Sequence, residues 1–116
     1  MKKSDDASVI ARRVSGFLLE YAPQFLTSSE HTLKGYKDTL TLYFQFLQGN
    51  RIIPDSLTRQ HLEKEWIEKW IIWLKESRKN SPDTCNNRLA SIRRFLEYLA
   101  EKDVSMEYLY LESKKI

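Results

Sequence analysis

Between Ser29 and Leu47 the chain reads SEHTLKGYKDTLTLYFQFL. At about 100° per residue, Leu33, Tyr36, Leu40, Tyr43, Phe44 and Leu47 fall on one side of a helix, with Leu42 and Phe46 on a flanking stripe. A helix apolar over more than half its girth has to touch other helices on two sides, so this one belongs in the middle of a bundle. Its remaining stripe is polar: Lys34, Lys37, Thr41 and Gln45 recur three and four residues apart. That stripe is either a solvated face or one turned toward a polar partner.

The pattern before and after this helix predicts an all-α fold, a small orthogonal bundle of four main helices plus a short C-terminal one. Residues 1–8 read as a disordered tail, with Ser8 as the N-cap of a first helix that carries Val9, Ile10, Val14, Phe17, Leu18, Tyr21, Ala22 and Phe25 at helical spacing. Pro23 should kink or stop that helix, which resumes through Leu26. Ser28 or Ser29 caps the second helix, and Gly49 with Asn50 ends it as a C-cap pair. In the loop that follows, Ile52 or Ile53 covers the core edge. A third segment starts at Ser56 or Thr58 and bends before Glu63. It aligns Leu62, Trp66, Trp70 and Trp73 on one stripe and Ile67, Ile71 and Leu74 on the next. Indole rings at this spacing are core more often than a binding platform.

The fourth helix has the clearest start. Ser81 suits the N-cap, Pro82 the first helical position, and Asp83 the positive end of the dipole. Its core face is Cys85, Leu89, Ile92, Leu96 and Leu99, running to about Glu101. Ser105 then caps a short last helix, Met106 to Leu111.

Composition narrows the function classes. The 116 residues suit one compact domain, and three Gly, three Pro and 30% charged residues suit an ordered helical one. No apolar run is long enough to span a bilayer, and the polar start MKKSDDAS lacks the apolar stretch of a signal peptide, so a cytoplasmic protein with no membrane partner is expected. One cysteine and two separated histidines supply no disulfide and no metal cluster, and no cofactor or small-molecule ligand is expected. No Ser/His/Asp, Cys/His or paired-carboxylate set converges on one helical face, which argues against an enzyme.

Charge changes the picture locally. Lys75, Arg78, Lys79, Arg88, Arg93 and Arg94 face only Glu76 and Asp83 between residues 75 and 95, an excess that suits an anionic partner. About 120° round the fourth helix from its core lies a stripe of Thr84, Asn87, Arg88, Ser91 and Arg94. Hydroxyl, amide and guanidinium groups hydrogen-bond phosphates and base edges, so this stripe is either a DNA contact or a solvated face. Lys34, Lys37 and Thr41 on the second helix and Lys79 in the basic connector complete the candidate set.

Two strings carry a family resemblance across Val9 to Leu111. One is Ser29, Thr32, Tyr36, Leu40, Phe44 and Leu47 in the second helix; the other is SPDTCNNRLASIRRFLEYL, with Ser81, Thr84, Asn87, Arg88, Leu89, Ile92, Phe95, Tyr98 and Leu99. With the apolar third helix between them, the order resembles the N-terminal core-binding, or SAM-like, domain of tyrosine recombinases, the phage-integrase and Xer-type enzymes. The resemblance implies a core-binding domain over residues 9–111 whose second and fourth helices face double-stranded DNA. Residues 112–116 would start a linker to a separate catalytic domain outside this chain. It also implies neighbouring recombinase subunits as partners once assembled on DNA. Tyr108 and Tyr110 do not follow the family's H-x-x-R element, so neither is read as a nucleophile. The rival reading is a helical protein-interaction module of the SAM or death-domain type, using the tryptophan-rich helix as its contact surface.

Overall fold

The computed structural model describes residues 5–116, so residues 1–4 of the expected tail lie outside the described residues. All regular structure among the described residues is helical. The chain divides into two compact units, Met1–Arg59 and Gln60–Ile116.

In the first unit α1 spans Asp5–Gly16 and so takes in residues expected in the tail. A partner distant in sequence holds this turn. The Asp6 carboxylate accepts from the Arg59 backbone N–H at 3.0 Å, from its Nε at 3.3 Å and from its terminal nitrogen at 3.0 Å. Ala7, assigned to the tail by local pattern, is buried with Ile10. From Phe17 to Leu26 the chain continues as a π-helix, closed by the Thr27 N–H on the Ala22 carbonyl at 3.1 Å. Pro23 therefore does not stop the helix. An α turn would press its ring against the carbonyl four residues back, and the wider π turn relieves that clash. The wider period also regroups the side chains: Ala22 is buried, whereas Phe25, placed in the core by α spacing, is 71% exposed. The Phe25 ring lies 5.4 Å from that of Tyr21 between centroids, and Tyr21 in turn 6.3 Å from buried Phe17.

Helix α2 spans Glu30–Gly49, with the Ser29 hydroxyl accepting from the Thr32 N–H. Phe17 meets its Tyr36 ring at 5.5 Å. Leu40, Tyr43 and Leu47 are buried on one stripe and Thr39, Leu42 and Phe46 on the next, as an interior helix requires. Burial pushes the Tyr43 hydroxyl far above the usual phenol range. The helix end differs from expectation. Gly49 is the last helical residue, the Asn50 side-chain amide donates to the Phe46 carbonyl at 2.8 Å, and the left-handed residue is Arg51. A 3-10 turn, Pro54–Ser56, leads to buried Leu57, which with half-buried Ile52 covers the core edge while Ile53 stays exposed.

The second unit is built on α3 (Lys64–Glu76), α4 (Pro82–Lys102) and α5 (Glu107–Ser113). A 3-10 turn, Arg59–Leu62, precedes the bend at Glu63. Leu62, Ile67, Trp70 and Leu74 are buried. Trp66 and Trp73 are half-buried, covered by Lys69 at 4.6 Å and Arg78 at 5.7 Å from their centroids. The core of α4 is Cys85, Ile92, Phe95, Leu96, Tyr98 and Leu99, with Leu89 half-buried. Asp103, not Ser105, caps the following 3-10 turn, Val104–Met106: its carboxylate accepts from both the N–H and the hydroxyl of Ser105. The last helix also outruns Leu111. Ser113 is buried, and the Arg93 guanidinium donates to the Ser113 carbonyl at 3.0 and 3.1 Å and to the Ile116 carbonyl at 2.9 Å.

Candidate nucleic-acid interface

Each unit presents one candidate surface. In the first it is the polar stripe of α2, where Lys34, Lys37, Thr41, Gln45 and Gln48 are all exposed. Burying the two apolar stripes of that helix leaves this one facing outward. Lys34 is engaged in an ion pair with Asp38, Nζ to Oδ2 at 2.9 Å, with side-chain exposures of 73% and 40%. Such an exposed pair contributes only about 0.3–0.5 kcal/mol, so a phosphate can displace Asp38 at little cost. Lys37 makes no ion pair with the described residues.

In the second unit the candidates start at the connector between α3 and α4. Lys79 is exposed and left-handed, with φ of 57°. Ser81 caps α4 through its hydroxyl, which accepts from the Thr84 N–H at 3.2 Å and donates to the Thr84 hydroxyl at 3.0 Å. The Thr84 side chain is thus held at the helix start, with lone-pair capacity left on its oxygen. Asn87 is exposed, and Arg88 and Ser91 are half-buried on the same stripe. Arg94 is exposed but bonded to Glu97 at 3.1 Å, and it borders the cleft between α4 and α5 beside Arg93 and Lys114.

Three of the basic groups of this region have partners within the unit. Arg93 holds the carbonyls at the end of α5, Arg94 is ion-paired, and Arg78 lies over Trp73. Nothing local to Arg93 announces its role, because its partners lie twenty or more residues downstream. The polar stripe of α4 is also shorter than periodicity suggests. Beyond Ser91 the same side of the helix carries Phe95 and Tyr98, both buried, so the contact-competent part is the N-terminal half.

Tyr108 and Tyr110 are ring-packing residues. The Tyr108 hydroxyl donates to Glu63 at 3.0 Å, and Lys114 lies over the Tyr110 ring at 4.7 Å. No helix among the described residues is long and apolar enough to cross a membrane.

Comparison with known proteins gives one match, to the family described as phage integrase, N-terminal SAM-like domain, over residues 19–103. No curated protein and no solved structure matches the chain. The matched span takes in most of the π-helical segment, all of α2 and α3, and α4 to its C-cap, which is nearly three quarters of the sequence and includes both candidate stripes. The chain therefore belongs to the phage integrase N-terminal SAM-like domain family.

Proposed function

We propose that this chain is the DNA-binding, core-binding part of a tyrosine-type site-specific recombinase, holding duplex recombination-site DNA together with a separate domain that carries the catalytic residues. The observation that carries the reading is the N-terminal half of α4. A capped helix start presents Thr84, Asn87, Arg88 and Ser91 along one side, with Lys79 exposed just before it. An amide and a guanidinium are the groups that pair with adenine and guanine edges, and the hydroxyls and Lys79 suit phosphates. The chain itself is not read as an enzyme.

The interaction-module reading relied on open tryptophan rings. Trp70 is enclosed, and cations cover the other two, which argues against it. A titration of the chain with duplex DNA at two salt concentrations tests the proposal. Weak binding with little sequence preference and a steep loss of affinity with salt is expected. Unchanged amide NMR shifts with excess duplex at low salt would reject it.

A further inference from the structure

The left-handed backbone region disfavours any residue with a Cβ, and helices that end on such a residue commonly place glycine there. Among the described residues, two non-glycine positions have φ in this region: Arg51 at 66° and Lys79 at 57°. Both are cations, both are exposed, and each follows a helix, α2 in the first unit and α3 in the second. Glycine stands two residues before Arg51. Yet Gly49 has helical backbone, and a Cβ there would meet nothing within 4 Å. Glycine thus occupies a position that does not need it, and a guanidinium occupies the one that does.

Helix-end electrostatics do not account for this. A cation near a helix C-terminus is favourable, but it need not be the left-handed residue. The carbonyls of Phe46, Leu47 and Gln48 at the end of α2 already accept: the Asn50 and Ile52 N–H groups reach Leu47, the Arg51 N–H reaches Gln48, and the Asn50 side chain reaches Phe46. The Arg51 side chain makes no hydrogen bond or ion pair with the described residues.

We propose that Arg51, exposed just past the end of α2, is a DNA phosphate contact, the role proposed above for Lys79 ahead of α4. This rests on the DNA-binding reading above. From Lys37 to Arg51 the chain advances about 20 Å at helical rise, more than the roughly 12 Å width of the major groove. Lys37, in the first half of α2, and Arg51, past its end, are thus far enough apart to meet phosphates on both sides of that groove. Thr41, Gln45 and Gln48 between them are side chains of the kind that read base edges.

The test uses Arg51→Gly, Arg51→Asn and Lys79→Gly, since Gly and Asn both tolerate the left-handed region. Each variant should melt at or above the wild-type temperature. Each should bind duplex DNA about three- to tenfold more weakly at low salt, with a log affinity against log salt slope shallower by about 0.9, the signature of one lost phosphate contact. Arg12→Ala, an exposed change on α1, should leave that slope intact. Wild-type binding with the slope retained in both Arg51 variants would overturn the assignment of Arg51 alone, and the same result for Lys79→Gly would overturn that of Lys79. Absence of wild-type binding would overturn the DNA-binding reading and both assignments with it.

Discussion

At the scale of single residues, charge alone is a poor guide to function in this chain, because arginines of similar sequence context do different work. Arg59 and Arg93 are structural, each donating several hydrogen bonds to a distant part of its own unit. Arg88 sits half-buried on the polar stripe of α4, where a guanidinium can grip a phosphate or a guanine bidentately. Arg88→Ala should weaken DNA binding by about 1–3 kcal/mol with the melting temperature near wild type, whereas Arg12→Ala changes binding little. A large fall in melting temperature for Arg88→Ala would instead make it a packing residue. Asp6 gives a pH prediction. Its hydrogen bonds from Arg59 hold its carboxyl below the ordinary value of 3.8. A depressed carboxylate pKa stabilises the fold above the unfolded value, and that stability is lost as pH falls through the folded one. His61, lowered from 6.5 by burial, adds a loss in the same direction that begins below 6.5. Asp6→Asn should therefore cost about 1–2 kcal/mol at neutral pH and flatten the acid limb below pH 4 while leaving the fall near pH 6, as thermal melts across that range would record.

At the scale of elements, two helices are set by what lies beside them. The π-helical stretch from Phe17 to Leu26 keeps the chain running past a proline that would break an α-helix, and the changed period turns Phe25 outward. Helix α5 has only seven residues, too short to persist alone in water. Its C-terminal carbonyls are held by Arg93, and Leu109 and Ser113 are buried. Arg93→Ala should cost about 2 kcal/mol and raise amide exchange in α5 before it does so in α4, which hydrogen-exchange mass spectrometry resolves. Uniform exchange acceleration across both helices would mean that α5 does not open separately.

At the scale of the whole molecule, the chain belongs to the phage integrase N-terminal SAM-like domain family, and its charge bears on how tightly it could hold DNA under the proposed reading. The net charge is only +3, and several of the basic groups are engaged internally. On the proposed DNA-binding reading this predicts weak, salt-sensitive binding by the chain alone. The same proposal has contacts between neighbouring subunits form only once DNA assembles them. The free chain should sediment as a monomer at micromolar concentration, and a stable dimer would favour the protein-interaction reading.

What the sequence determined by itself is the local grammar. The α2 burial pattern, the Ser29 and Ser81 caps, the bend at Glu63 and the exposed stripe of Lys34, Lys37 and Thr41 follow from periodicity and from side chains bonding within a few residues. Resemblance in two helices was enough for the family, since core spacing and caps are what those strings encode. Tertiary structure decided the rest. Asp6 is held in helix by Arg59, fifty-three residues away, Arg93 is tied to the end of α5, and the α4 stripe closes at Phe95 because that ring is buried. The left-handed backbone of Arg51 and the Asn50 side-chain hydrogen bond to Phe46 beside it are likewise not revealed by composition and spacing. Each of these depends on where a partner group lies in space, which a one-dimensional pattern carries only when that partner is a turn away.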